Sequence, residues 1–120
     1  MPVTLLEYTD NLAIGEKIKS FLLRAHESLV AIIKTDLTTC RSTITKHQDY
    51  VVGDGDAKNA FIQLSVRILP GRSEATKQEL GNHLLKAIHG TFGDEITRLK
   101  TQVRVCLTEV DLNHYYGITQ

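Results

Sequence analysis

Apolar residues recur every second position in some stretches of this chain and every third or fourth in others. Val3, Leu5 and Leu6 give apolar weight to a short segment, Val3 to Thr9, that ends at Asp10-Asn11 and reads as a strand. Ile14, Ile18, Phe21, Leu22, Ala25, Leu29, Ile32 and Ile33 then mark one face of an amphipathic helix over about Leu12 to Lys34. Gly15 weakens its first turn. The polar, β-branched run Thr38-Thr39-Cys40-Arg41-Ser42-Thr43-Ile44-Thr45 suits a strand better than a helix and is expected to continue toward Tyr50-Val51-Val52. Gly53-Asp54-Gly55-Asp56 breaks it.

From Ala60 to Leu69, Ile62, Leu64, Val66 and Ile68 alternate with Gln63, Ser65 and Arg67, the pattern of a half-buried strand. Pro70-Gly71 stops it, and Ser73 with Glu74 makes a good helix start. Leu80, Leu84, Ile88, Phe92, Ile96 and Leu99 form the next helical stripe, with Gly90 and Gly93 as expected points of bending or breakage. Val103, Val105 and Leu107 alternate with Gln102, Arg104 and Thr108 in a last strand that ends near Asp111.

The order is strand, helix, strand, repeated once. Right-handed βαβ units put each pair of strands parallel with the helix on one face. The expected fold is therefore α+β: a four-stranded mixed sheet with two helices on one face. It forms a single domain, residues 1–120, from pseudo-repeat halves at about 1–52 and 60–112. The other sheet face is left bare. Because it includes apolar side chains, another copy of the chain is its simplest cover.

Composition narrows the function. The chain has 14 Lys+Arg against 14 Asp+Glu and shows no basic stripe, which argues against nucleic acid as a partner. It has 2 cysteines, too few for a disulfide framework, so a reducing, cytoplasmic setting is expected. No apolar run reaches the roughly 18 residues of a membrane span, and Met1-Pro2-Val3-Thr4-Leu5-Leu6-Glu7 lacks a basic leader region; no membrane partner is expected.

Candidate chemistry starts at Pro2. Initiator methionine is normally removed before so small a residue, which exposes a secondary amine at the start of a strand. An α-amino group titrates near 7.7–8.0, and desolvation or neighbouring cations lower that value toward the range where a base works best. Arg41, in Cys40-Arg41-Ser42, and Arg72, in Pro70-Gly71-Arg72-Ser73, are candidate carboxylate ligands. Arg72 stands beside a helix start, and a guanidinium grips a carboxylate through two parallel hydrogen bonds.

Other features carry less chemistry. Gly53-Asp54-Gly55-Asp56 lacks the further ligands of a calcium loop and reads as a hairpin or loop turn. His26, His47, His83, His89 and His114 have no metal-ligand spacing and read as surface or core-edge residues. Cys40 and Cys106 read as packing residues, and no glycine-rich phosphate loop is present.

Pro2 opening the first strand, Arg41-Ser42 on the second and Gly71-Arg72-Ser73 before the second helix resemble the 5-carboxymethyl-2-hydroxymuconate Δ-isomerase family of the tautomerase superfamily. The resemblance runs from Pro2 to about Asp111. It implies a double βαβ tautomerase fold, a homotrimer, and an isomerase that uses no metal or organic cofactor. It implies that Pro2 is general base and then general acid, and that Arg41 and Arg72 bind substrate carboxylates. The implied substrate is an unsaturated 2-hydroxy di- or tricarboxylic acid from the catabolism of homoprotocatechuate, an aromatic acid.

Two features depart from the family pattern. The tail Asn113–Gln120 is shorter than the family's usual Lys- and Asn-containing end, which bears on substrate identity and trimer strength. If Met1 stays attached, the Pro2 nitrogen is an amide with no basicity. The alternative function is a non-catalytic module of ferredoxin-like or degenerate tautomerase type that binds a small ligand or a partner.

Overall fold

The computed structural model describes residues 1–120, and its centre is a four-stranded sheet in the order β2-β1-β3-β4. The strands are β1 (Val3–Thr9), β2 (Arg41–His47), β3 (Asn59–Ile68) and β4 (Lys100–Glu109); the helices are α1 (Gly15–Ile33) and α2 (Glu74–Arg98). β1 pairs parallel with β2, β3 pairs parallel with β4, and β1 and β3 join the two pairs antiparallel. The architecture is the α+β, double βαβ arrangement that the hydrophobic pattern predicts.

Alternation along the strands separates two faces. Leu6 and Tyr8 of β1 and Ala60, Ile62, Leu64, Val66 and Ile68 of β3 are buried beneath the helices. Each helix adds a stripe: Ile18, Phe21, Leu22, Ala25, Leu29 and Ile33 from α1, and Leu80, Leu84, Ile88, Phe92 and Ile96 from α2. The Phe21 and Phe92 rings meet at 5.2 Å between centroids, in the tilted geometry that aromatic pairs favour. Burying each large side chain contributes about 1.5–3 kcal/mol, so the core lies wholly between the helix layer and one sheet face.

The other face carries the side chains that the register sets beside Val3, Leu5 and Glu7. They are Arg41, Thr43 and Thr45 of β2 and Arg67, Ser65 and Gln63 of β3. On β4 the same face presents Gln102, Arg104, Cys106 and Thr108. No helix covers it.

Several boundaries differ from the sequence expectation. α1 begins at Gly15 and ends at Ile33, with Lys34 turning left-handed at φ 58°. α2 runs unbroken through Gly90 and Gly93. Each glycine costs up to about 1 kcal/mol in a helix, but Ile88, Phe92 and Ile96 are buried on either side and anchor the helix across that stretch. β2 starts later, because Leu37–Thr39 form a 3-10 turn with the Asp36 carboxylate accepting from the Thr38 amide at 3.0 Å. This local cap outweighs the strand preference of the threonines. β2 also stops at His47, short of Val52: β1 ends at Thr9, and the last backbone bond between them runs from Asp10 N–H to His47 O.

The Gly53–Asp56 turn lies in the loop between β2 and β3, which are not neighbours in the sheet, so it closes no hairpin. Gly53 and Gly55 have φ 58° and 82°, where a side chain would be strained. Cys106 corrects the packing expectation: it is exposed on the uncovered face, because Val105 and Leu107 take the helix side. Cys40 is half-buried against the core. Neither helix is long and apolar enough to cross a membrane.

Candidate active site at the head of the sheet

β1 begins where β3 ends, and β2 begins beside β1, so antiparallel and parallel pairing bring three strand ends to one edge of the molecule. Pro2 is buried there, directly before β1. Its carbonyl accepts the Arg41 backbone N–H at 3.1 Å, which ties the first residues of β1 and β2 together. The carbonyl of Met1 lies beyond it and accepts from two hydroxyls, Thr35 Oγ1 at 3.2 Å and Thr39 Oγ1 at 3.1 Å. Both threonines are half-buried in the connection between α1 and β2.

The three residues that the sequence singled out therefore come to the same end of the sheet, in different circumstances. The Arg41 side chain is exposed on the uncovered face, level with Val3. Arg72 is half-buried on the turn between β3 and α2. It donates Nη1–H to the Leu69 carbonyl and Nη2–H to the Ile33 carbonyl, each at 3.0 Å. Ile33 is the last residue of α1, so the guanidinium also sits against that helix's negative end. A guanidinium has five donors, and these two bonds leave others for an anionic ligand. Ser73, next in sequence, caps α2 by accepting from the Thr76 amide at 3.1 Å. Ser42, beside Arg41, points to the helix layer and pairs with His26 Nε2 at 2.7 Å.

Sequence reasoning missed two sets of residues at this end. Arg67 lies opposite Val3 on β3, so Val3 has an arginine on each side of it across the uncovered face. Its signal was present, since an alternating strand that ends beside the first strand must set one polar residue there. Thr35 and Thr39 left no signal: their role depends on where Met1 comes to rest.

The local electrostatics are set by burial and short hydrogen bonds. Burial pushes the Cys40 thiol up, opposed by the nearby N-terminal ammonium. The Asp36 carboxyl is held below its ordinary value by the Thr38 amide and hydroxyl. No three His, Cys, Asp or Glu side chains converge into a metal-ligand cluster. Clefts of about 380 Å³, between α1 and β2, and about 470 Å³, between the helices, are lined by none of Pro2, Arg41 and Arg72.

The chain matches the family described as 5-carboxymethyl-2-hydroxymuconate isomerase over residues 2–117. It belongs to that family. The match begins at Pro2, the residue held at the head of the sheet, and it makes the protein an isomerase. Solved structures agree. A 5-carboxymethyl-2-hydroxymuconate isomerase from Deinococcus radiodurans R1 is 25% identical with a TM-score of 0.91, over 99% of this chain and 90% of that one. A 5-carboxymethyl-2-hydroxymuconate delta-isomerase is 15% identical with a TM-score of 0.86, over 100% of this chain and 89% of that one. A fused 4-OT symmetric trimer shares the fold at 21% identity and a TM-score of 0.69, over 90% of this chain and 85% of that one. No curated protein sequence matches the chain significantly. Membership in this family and the double βαβ sheet together identify the fold as the tautomerase fold.

Proposed function

We propose that residues 1–120 form one catalytic domain whose Pro2, freed by removal of Met1, moves a proton and a double bond in an unsaturated 2-hydroxy di- or tricarboxylic acid of the 5-carboxymethyl-2-hydroxymuconate type. The observation that carries this reading is the family match that begins at Pro2, together with the fixed position of Pro2 between the start of β2 and the end of β3. A neutral secondary amine takes a proton from the substrate and returns it at another carbon, serving as base and then as acid. The dienolate between these steps carries negative charge, which the nearby arginines offset. Arg41 and Arg72 are the proposed carboxylate ligands. The same cations disfavour the Pro2 ammonium and keep part of the amine neutral. The reaction as proposed uses no metal or organic cofactor and takes place in the cytoplasm.

The proposed assembly is a homotrimer that packs the uncovered sheet faces inward. Val3, Leu5 and Phe61 on that face are the apolar residues that support it.

The test compares processed with Met1-retaining protein, identified by intact mass, on a 2-hydroxymuconate-type acid and on a simple ketonising enol. The processed form should turn over, with kcat/KM rising with pH through the pKa of the Pro2 nitrogen. The Met1-retaining form should fold and be inactive, because an amide nitrogen has no basic lone pair. Equal activity in both forms would remove Pro2 from the mechanism. Activity in neither would favour a binding module.

A further inference from the structure

The Met1 carbonyl oxygen is one carbon removed from the Pro2 nitrogen, and two hydroxyls converge on it from the α1–β2 connection. Thr35 Oγ1 donates to it at 3.2 Å, and no other acceptor competes for that proton. Thr39 Oγ1 lies at 3.1 Å from the same oxygen and at 2.7 Å from the Asp36 carbonyl, so its single proton is shared between two acceptors. The threonines are held in place independently of Met1. Thr35 follows the left-handed residue Lys34 that ends α1, and Thr39 belongs to the 3-10 turn capped by Asp36.

We infer that Thr35 and Thr39 form an oxygen-binding subsite beside the Pro2 nitrogen, with the Met1 carbonyl standing where an oxygen of the substrate binds once Met1 is gone. This rests on the proposed role of Pro2. The donor chemistry defines the ligand: two neutral hydroxyls suit an anionic oxygen that needs short hydrogen bonds without a further cation. The substrate class offers two such atoms, a carboxylate oxygen and the oxygen of the enolate formed when the base removes a proton. Thr35 is the stronger donor because its proton is uncommitted, while the Asp36 carbonyl competes for that of Thr39.

The position also separates this subsite from the arginines. The Arg41 side chain lies on the uncovered face, and the two mapped bonds of Arg72 go to Leu69 and Ile33. The threonines are tied to an oxygen one carbon removed from the base. A donor so placed contributes most when charge develops close to the reacting atoms in a site screened from water.

The experiment uses processed protein, with Met1 removal verified by intact mass, carrying Thr35→Val, Thr35→Ser or Thr39→Val. Valine keeps the shape and removes the hydroxyl; serine keeps the hydroxyl. Thermal melts of each variant report whether it folds. Thr35→Val should lower kcat/KM on a 2-hydroxymuconate-type acid by about 10- to 1,000-fold. Thr39→Val should lower it less, and Thr35→Ser should stay within a few-fold of wild type. A loss in kcat marks the enolate oxygen as the ligand, and a rise in KM with kcat unchanged marks the carboxylate. If processed Thr35→Val folds and matches wild-type kinetics, the subsite is wrong and the role of Pro2 stands. If the Met1-retaining wild type is as active as the processed form, the Pro2 reading fails and takes the subsite with it. A Thr35→Ser variant that folds but loses as much activity as Thr35→Val would also overturn the assignment, since the hydroxyl would not be what matters.

Discussion

Arg72 joins two elements far apart in sequence: its guanidinium donates to the carbonyl of Ile33, the last residue of α1, at 3.0 Å. A second bond to Leu69 fixes the turn from which Arg72 projects. The residue thus positions the end of α1 against the start of α2, in addition to its proposed role as a carboxylate ligand. Arg72→Ala should lower folding stability by about 2 kcal/mol, the scale of hydrogen bonds to a charged group, and should also lower activity. Arg72→Lys should recover only part of either, because one ammonium cannot reproduce the fork. Urea unfolding and kcat/KM on the same preparations check this. An unchanged unfolding midpoint in the alanine variant would contradict the anchoring role.

Thr4 is buried on the helix side of β1, and its hydroxyl has no hydrogen-bond partner. A buried unsatisfied hydroxyl costs about 1–3 kcal/mol relative to an apolar group of the same shape. Thr4→Val should therefore raise the unfolding midpoint, by about 1 kcal/mol in stability, with little change in secondary structure. A destabilised valine variant would mean that the hydroxyl is engaged after all.

The helix layer is pinned by Lys17 of α1 and Glu95 of α2, at 2.6 Å. The Lys17 ammonium holds the Glu95 carboxyl below its ordinary value of 4.5. The folded state therefore favours the carboxylate. The contribution is fully present above the unfolded value, and it is lost as pH falls through the lower folded value. Glu95→Gln should thus be less stable than wild type at neutral pH, and the gap should close as the medium is acidified below about 4. Chemical unfolding curves from about pH 7 to about pH 3 would show the two lines converging; a gap that stays constant in acid would argue against the pairing.

Cys106 lies exposed on the uncovered sheet face, while Cys40 is half-buried with its thiol pushed up by burial. If three copies pack these faces inward, Cys106 should react slowly with a thiol reagent in the assembled protein and quickly once dilution dissociates it. Sedimentation should give about three times 13.4 kDa under the protected condition. Rapid Cys106 labelling at a concentration where the mass is trimeric would place the interface elsewhere.

The alternation of Ile62, Leu64, Val66 and Ile68 and the helical stripes of α1 and α2 were legible in the sequence, because local periodicity must match the face that each element buries. Pro2, Arg41 and Arg72 could be singled out in the sequence as candidates from residue type and position alone; that they meet at one end of the sheet followed from strand pairing. Tertiary structure decided the rest. Arg67 gained its place beside Val3 only through antiparallel pairing of β1 with β3, and Arg72 acquired Ile33 as a partner only when α1 and the β3–α2 turn came together. Cys106 was read as packing and proved exposed, because β4 turns Val103, Val105 and Leu107, half-buried, toward the helices and its even-numbered residues to the open face. Thr35 and Thr39 look like ordinary loop residues in the sequence. Their hydroxyls meet at the Met1 carbonyl because the end of α1, a single 3-10 turn and the head of β1 converge there, and no local pattern records that convergence.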